Sequence, residues 1–191
     1  MQSMAAEALP ASQSVFASRR LRFRLFAPAD VGHLVASARE YGGSDATAGL
    51  PPPYALQCDW LRRGLPAVPA GVEPIEWTTC RAHDGRVVGY GCLHPVDNTC
   101  RHAQAQFWII RGSDESMHGE AAECAGAIIR FALEGRHFER VFALQLVRQP
   151  RVARILAASG MSEEGILRKR LLRDGLMEDV ACWATTGPPR A

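Results

Sequence analysis

Within residues 19–26, hydrophobic and polar residues alternate from Arg20 to Leu25, where apolar side chains interleave with arginines. Period-two alternation predicts a half-buried strand, with the arginines on its solvated face. Asp30 follows and can cap a helix whose apolar residues recur at helical spacing. A second, short helix is expected over 56–64, between two loops rich in proline and glycine. The chain therefore opens with a strand and two helices.

Three strand-like segments follow in close succession, over 73–81, 87–94 and 103–110. An Asp-Gly pair at 84–85 marks a hairpin turn between the first two. Short connections of this kind join antiparallel strands, because parallel strands need a longer crossover. We expect a three-stranded antiparallel meander here.

The second half of the chain continues with two helices and three strands. Apolar residues at helical spacing predict a helix over 120–136, and Pro150 begins another that runs to Ala158. The nearly all-apolar segment 140–147 between them is typical of a strand covered on both faces. Segments 165–172 and 177–185 predict a closing hairpin. The order indicates an α/β (α+β) domain.

Composition narrows the class of protein. The 191 residues carry a net charge of +2 and a hydrophobic share of 47%, which is ordinary for one globular domain. A charge this small gives no electrostatic reason to expect nucleic acid or a membrane surface as partner. No apolar run is long enough to cross a membrane. We expect a cytoplasmic protein with one domain over 19–186, a mobile tail over 1–18 and a short tail over 187–191.

The six cysteines form no CxxC motif, and no cysteine–histidine group has the spacing of a zinc site. Several lie inside apolar patterns, where cysteine acts as a small hydrophobe. We therefore expect reduced thiols and no metal. Cys100 and His102 share a turn, but a pair two residues apart is usually accidental.

The segment 103–126 has the strongest functional pattern. It begins as a strand, passes through a polar loop and enters a helix at Gly119–Glu120. Unpaired N–H groups and the helix dipole at such a junction suit a phosphate or pyrophosphate. Many strand–loop–helix junctions hold no ligand, so this pattern alone is weak.

The element order and four local sequences resemble the GNAT superfamily of acyl-CoA-dependent N-acyltransferases, over nearly the whole ordered chain. These sequences are LRFRLFAPAD, GRVVGYGCLH, FWIIRGSDESMHGEAAE and the segment that starts at RVFALQLVRQP. The subgroup it looks most like acetylates protein N-termini, ribosomal proteins and small amines. The resemblance implies a mixed, largely antiparallel sheet of about six or seven strands, splayed at the acyl-CoA loop and flanked by about four helices.

The resemblance also implies acetyl-CoA, or another acyl-CoA, as co-substrate. The loop and helix start would hold the pyrophosphate, and the preceding strand would pair its backbone with the pantetheine. Gln149 keeps an amide that could hold the pantetheine, and Arg154 would lie along the cleft. The implied cofactor-binding residues are Trp108, Ile109, Ile110, Arg111, Ser116, Met117, His118, Gly119, Glu120, Ala121, Gln149 and Arg154.

Several positions depart from the family pattern. Ser116 replaces the leading Gln or Arg of the loop, and Glu120 would repel a pyrophosphate. Gln104 stands where related enzymes often have a glutamate base, and an amide cannot take a proton. Val152 and Leu156 stand at positions that usually carry a hydroxyl near the cofactor sulfur.

Two other residues are candidates for the base that deprotonates the amine. His94 ends the second meander strand, where an imidazole near the acceptor would suit proton transfer. It is about as well explained as a polar residue at a strand end. Glu123 lies in the first turns of the loop helix and could point to the cleft, although a solvated carboxylate is the simpler interpretation.

Two functions remain open from the sequence. The first is acyl transfer to a primary amine of a small molecule or a peptide N-terminus. The alternative is a catalytically degenerate protein of the same fold that binds acyl-CoA or a partner as a sensor or structural module. Nucleic-acid binding through Arg168, Lys169 and Arg170 is a weaker hypothesis, because such a run usually forms a solvated hairpin. A homodimer through the C-terminal hairpin would be common for the family.

Overall fold

Nine strands form one sheet in the part of the chain that the structure describes. This computed structural model describes residues 15–27, 30, 47–48, 75–97, 99–109, 117–173 and 175–187. The strands are β1 Phe16–Ala17, β2 Leu21–Leu25, β3 Thr47–Ala48, β4 Ile75–Arg81, β5 Val87–Asp97, β6 His102–Ile109, β7 Arg140–Leu146, β8 Ser162–Arg173 and β9 Leu176–Thr186. The described helices are α1 (Met117–Arg130) and α2 (Pro150–Ala158), and α1 continues into a π-helical turn at Phe131–Gly135.

The strand order is β1-β2-β4-β5-β6-β7-β9-β8, and β3 pairs separately with β6. The β6–β7 pair is parallel, whereas every other described pair is antiparallel. A parallel pair needs a crossover, and α1 supplies it because it lies between β6 and β7 in the chain. The sheet is therefore mixed and largely antiparallel, as the sequence predicted.

The details differ from the sequence prediction in number and extent. The sheet has nine strands instead of six or seven. The two additional short strands are β1, at the edge of the sheet, and β3, which pairs with β6. Of the four expected helices, the one that Asp30 would cap and the one over 56–64 lie outside the described residues, apart from Asp30 itself. The predicted domain boundaries stay predictions, although Phe16–Ala17 pairs with β2 inside the segment assigned to the mobile tail.

Alternation along the strands places one set of side chains against α1. Trp77, Gly91 and Phe107 are cross-strand partners on β4, β5 and β6, and all three are buried. A Cβ on Gly91 would lie 2.6 Å from Ile128 Cδ1, so this row faces α1. Ile128 is fully buried, as helical spacing of the apolar residues on α1 predicts. Residues one position along each strand consequently face away from α1.

An aromatic cluster fixes the first strand to the core. The Phe16 ring stacks on Phe23 and on Phe131, with centroid distances of 4.3 and 4.4 Å. Trp77 meets the Phe16 and Phe131 rings edge-on, at 5.1 and 5.3 Å. Aromatic pairs in these geometries add to the free energy gained by burying their surface. β1 has only two residue pairs with β2, so aromatic packing contributes more than backbone pairing to its placement.

None of the helices among the described residues is both long and apolar enough to cross a membrane.

We predict that Gly91→Ala lowers the free energy of unfolding by about 1–2 kcal/mol, because its Cβ would overlap Ile128 Cδ1. Ile128→Val removes that atom and alone should cost about 1 kcal/mol. Urea unfolding of the double variant should therefore give a loss smaller than the sum of the two single losses.

Gly126→Ala is the matched control, because a Cβ at this helical glycine meets nothing within 4 Å. It should stabilise the protein by about 0.5–1 kcal/mol through the higher helix propensity of alanine. Additive losses in the Gly91/Ile128 pair would show that α1 does not pack against β5 as described.

Candidate active site

Strands β6 and β7 diverge part of the way along the sheet. Their parallel register pairs His102 with Arg140, Ala103 with Val141 and Gln104 with Phe142, and it ends there. Strand β6 continues to Ile109 and stays paired with β5 on its other side. The backbone groups of β6 that face β7 before Gln104 are therefore available to other partners after it. The sheet is splayed at this point, as the sequence predicted.

Strand β3 occupies part of this opening. Thr47 pairs with Trp108 and Ala48 with Phe107, both antiparallel. Because β5 already takes the opposite edge of β6, β3 lies on the edge that β7 has left. The sequence predicted that the Trp108 backbone would pair with a pantetheine, and in the structure it pairs with this chain itself.

The first turn of α1 lies close to a cation. Gly119 is exposed, and a Cβ on it would lie 2.8 Å from Nη2 of Arg20. A guanidinium beside the N-terminal turn of a helix adds to the positive end of the helix dipole and favours an anion. The sequence assigned Arg20 to a solvated strand face, and only the fold brings it here.

Glu120 does not face solvent at the helix start. Its side chain is 8% exposed and pairs with Arg81, whose Nε lies 3.1 Å from Oε1 and whose Nη2 lies 3.3 Å from Oε2. The predicted repulsion of a pyrophosphate by Glu120 is therefore countered by the Arg81 charge. Ala121 follows it and is buried in the core.

Glu123 accepts three hydrogen bonds from the β1–β2 turn. The Ser18 hydroxyl donates to it over 2.6 Å, and the Arg20 backbone N–H and Nε donate over 2.7 and 2.6 Å. Burial alone would raise the pKa of the Glu123 carboxyl, but the hydrogen bonds from Ser18 and Arg20 outweigh it and lower the pKa. A carboxylate held in this way ties β1 and β2 to α1, and its low pKa opposes a role as base.

The other predicted base, His94, lies on β5 where the pairing with β6 shifts register between Leu93 and Val96. The cofactor candidates Ile110, Arg111 and Ser116 lie outside the described residues, and α1 includes Met117 and His118 in its first turn. Ile109 ends β6 as a buried core residue.

Gln149 caps α2, and a buried amide holds it in place. Its carbonyl oxygen accepts bonds from the Val152 N–H and from Gln145 Nε2, both over 3.0 Å. Trp183 Nε1 in turn donates to Gln145 Oε1 over 3.0 Å. Gln145 is only 2% exposed, so this network fixes the start of α2 beside the end of β7. Arg154 is exposed on α2.

Three positions that depart from the family pattern are buried. Val152 and Leu156 are fully buried in the core, and Gln104 is 8% exposed at the last residue of the β6–β7 register. Val152 and Leu156 both belong to the apolar core. Neither side chain can donate a proton to a leaving thiolate.

A row of polar side chains, of which Glu76 and Cys92 are buried, lies on the face of the sheet opposite α1. Glu76, Cys92 and Gln106 are direct cross-strand partners on β4, β5 and β6. The Tyr90 hydroxyl donates a hydrogen bond to Glu76 Oε1, and Cys92 Sγ lies 3.9 Å from Gln106 Oε1. Burial raises the pKa of the Glu76 carboxyl, although the Tyr90 hydrogen bond opposes the rise.

Buried carboxyls with a raised pKa are frequent at functional sites, so Glu76 is a further candidate. The sequence analysis missed it because the residue stands inside a strand pattern with no motif around it. Its one signal is an acidic residue within a segment that is otherwise mostly apolar or hydroxyl-bearing.

Arg24 and Asp30 form a second polar group on this face. The two Asp30 oxygens accept bonds from Arg24, and Oδ2 also accepts from Thr78 Oγ1 over 2.7 Å and from the Ala27 N–H over 2.9 Å. Burial opposes ionisation of Asp30, but these bonds outweigh it and lower the pKa. Arg24 is 17% exposed, so the prediction that all the arginines of this strand are solvated is wrong for it. The pair anchors the chain where it leaves β2.

Comparison with known proteins extends this picture. The sequence profile described as "Acetyltransferase (GNAT) domain" matches residues 20–162. A comparison with curated protein sequences gives no match.

Solved structures share the fold. A spermidine N-acetyltransferase chimera from Vibrio cholerae and hSSAT superposes with a TM-score of 0.68 at 14% identity, covering 87% of this chain and 95% of that one. A probable acetyltransferase gives 0.66 at 20% identity, with 91% and 96% covered. A putative ribosomal-protein-serine acetyltransferase from Vibrio cholerae gives 0.65 at 15% identity, with 91% and 99% covered.

At these identities the structures establish the fold alone. The profile match is the stronger finding, since it spans β2 to the first residue of β8 and so includes the divergence of β6 and β7 and the start of α1. The chain belongs to the GNAT acetyltransferase family.

Proposed function

We propose that the protein transfers an acetyl or other acyl group from acyl-CoA to a primary amine of a small molecule or a peptide N-terminus. The amine would attack the thioester directly in a ternary complex. The observation that carries this proposal is the divergence of β6 from β7 after Gln104, which leaves a strand edge leading toward the first turn of α1. Family membership supports the reaction class.

Acyl-CoA supplies the activated thioester. Its pyrophosphate would bind the N–H groups at the N-terminal turn of α1, with Arg20 Nη2 beside Gly119 while Arg20 Nε stays paired with Glu123. The residues predicted on the loop would contribute backbone N–H groups. Its pantetheine would replace β3 on the edge of β6 that β7 leaves, and Gln149, held by Gln145, would contact it from α2.

The acceptor amine must lose a proton before or during attack, and the departing thiolate must gain one. We propose His94 as the group that takes the amine proton. Glu123 remains the other base that the sequence predicts, and its three hydrogen bonds favour a structural role. Glu76, hydrogen-bonded to Tyr90, would give the opposite face of the sheet a buried polar group near the acceptor.

A binding protein without turnover is the second candidate. It is favoured by Val152 and Leu156, whose side chains are fully buried and cannot donate a proton. The amide of Gln104, where related enzymes often have a glutamate, favours it too. Positioning of a neutral amine against the thioester can nevertheless supply much of the rate acceleration, so these residues do not decide against catalysis.

Two further expectations from the sequence stay proposals. We propose a cytoplasmic location. We also propose a homodimer whose interface includes the β8–β9 hairpin. This hairpin has exposed apolar side chains, namely Ile166, Leu167, Leu172, Leu176 and Met177.

Titration calorimetry with acetyl-CoA, followed by thiol release with a panel of amines, tests the reaction. We predict binding with about one ligand per chain and turnover on at least one primary amine. Binding without turnover on polyamines, small amines and peptides would support the binding protein instead. Absence of acetyl-CoA binding would contradict both.

We predict that His94→Gln lowers kcat by roughly 10²–10⁴, the usual contribution of general acid–base catalysis. The fall in rate at acid pH should disappear in this variant, because glutamine cannot be protonated there as a histidine base is. Glu123→Gln should leave kcat close to that of the parent protein but lower stability by about 1 kcal/mol at neutral pH, since it weakens partly exposed bonds to a charged group.

The stability difference at Glu123 has a definite pH dependence. Because the folded-state pKa is lowered, its contribution is present above the ordinary glutamate pKa and is lost as the pH falls through the folded value. Urea unfolding of parent and Glu123→Gln should therefore converge in acid. A large loss of kcat with unchanged stability would make Glu123 the base.

Strand β3 and a bound pantetheine compete for the same edge of β6. We predict that proline at Thr47 or Ala48 tightens acetyl-CoA binding, because proline lacks the N–H that a ladder needs. Alternate residues of an antiparallel strand point their N–H groups to the partner strand. Only one of the two variants should therefore tighten acetyl-CoA binding, and the other serves as its control. Calorimetry measures both; equal affinity in both variants and the parent would show that β3 does not obstruct the site.

A further inference from the structure

The turn between β5 and β6 brings three different metal-binding side chains together. One ligand atom from each of Asp97, Cys100 and His102 lies within 4.8 Å of the others. Asp97 and His102 are direct cross-strand partners, and His102 Nε2 lies 4.0 Å from Asp97 Oδ2. The sequence analysis considered only Cys100 and His102 as a pair. Asp97 joins them because the register of the hairpin places it opposite His102.

The donor set indicates which metals would fit. A thiolate is a soft ligand, an imidazole is intermediate and a carboxylate is hard, and Zn²⁺ accepts all three in proteins. With bond lengths of about 2.0–2.3 Å, ligands around a tetrahedral zinc lie roughly 3.3–3.7 Å apart. The three side chains therefore need to approach one another by about 1 Å, which small side-chain rotations can supply. Mg²⁺ and Ca²⁺ prefer oxygen ligands alone and are poorly matched.

The backbone that carries these ligands is held firmly. Arg101, between Cys100 and His102, has a φ of 54°, a left-handed conformation that is rare for arginine. Its carbonyl oxygen accepts bonds from the N–H groups of Glu139 and Arg140 over 2.7 and 3.3 Å. Its guanidinium donates to the His137 carbonyl over 2.6 Å. The turn is thus fixed to the segment that enters β7.

The ligands themselves are also oriented. The Cys100 N–H donates to Asp97 Oδ1 over 2.7 Å, which leaves Oδ2 on the side of the histidine. The His102 ring lies 6.1 Å from the Phe142 ring, at an interplanar angle of 64°. Outer hydrogen bonds such as the one that Asp97 accepts orient a ligand and increase the affinity of a metal site. His102 and Asp97 keep 35% and 40% of their side chains exposed, so an ion can enter from solvent.

We propose that Asp97, Cys100 and His102 form a binding site for a zinc-class divalent cation, with water completing the coordination. The site stands where β6 and β7 are still paired, two residues before the divergence at Gln104. It is independent of the proposed acyl transfer. Bound metal would tie the β5–β6 turn more tightly and replace the thiol proton, so binding releases a proton and weakens in acid.

Anaerobic titration of the reduced full-length protein with Co²⁺ tests the proposal, because a cysteine thiolate bound to Co²⁺ gives a near-ultraviolet charge-transfer band. We expect the band to saturate near one equivalent and to disappear when Zn²⁺ displaces the cobalt. Cys100→Ser should abolish it. His102→Gln and Asp97→Asn should weaken binding by more than about tenfold, since loss of even an outer partner of a metal ligand costs that much.

His83→Gln is the matched control. His83 is exposed, and its Nε2 lies 3.3 Å from Asp84 Oδ2, so it forms a histidine–carboxylate pair on the β4–β5 turn, at the other end of β5. Its removal should leave the titration unchanged, and thermal melts should show that every variant is folded. Absence of the band overturns the proposal. So does a band that survives Cys100→Ser, or one that His83→Gln abolishes.

Discussion

The end of the β6–β7 pairing at Gln104 and Phe142 is the constraint on which the rest of the site depends. Two parallel strands that separate leave unpaired N–H and C=O groups inside a sheet, and buried backbone groups of this kind must find other partners. Here β3 takes some of them, through Thr47 and Ala48. A ligand with amide groups of its own can replace β3 at little net loss of hydrogen bonds. The backbone of the opening therefore suits the proposed binding of pantetheine, and the side chains around it bear on the proposed reaction.

The two faces of the sheet are stabilised in different ways. The face toward α1 is apolar, with Trp77, Phe107 and Ile128 buried in one core. The opposite face carries polar groups that are satisfied in pairs, Glu76 by Tyr90 and Asp30 by Arg24. Buried polar groups cost free energy unless they are hydrogen-bonded, so each pair specifies one arrangement of the strands that carry it.

Charge pairs also link distant parts of the chain around α1. Glu123 holds Ser18 and Arg20, and Glu120 holds Arg81. These bonds place both helix carboxylates against β1, β2 and β4 instead of in the opening. They also leave the Arg20 guanidinium beside Gly119, and each of the two glutamates is matched by an arginine. The electrostatics of the candidate anion site are thus set by contacts between elements about a hundred residues apart.

The sequence by itself determined the order and type of the elements after β3, because period-two and helical patterns depend only on local burial. Strands β4 to β9 and both described helices lie within a few residues of their predicted bounds. It also determined the junction between β6 and α1 and the departures at Gln104, Val152 and Leu156. Tertiary structure decided which charges meet, since ion pairs such as Arg20–Glu123 and Arg24–Asp30 leave no periodic signal in the chain. It likewise decided that Phe16 belongs to the core and that β3 enters the opening, because a two-residue strand is stabilised by its surroundings and not by its own pattern.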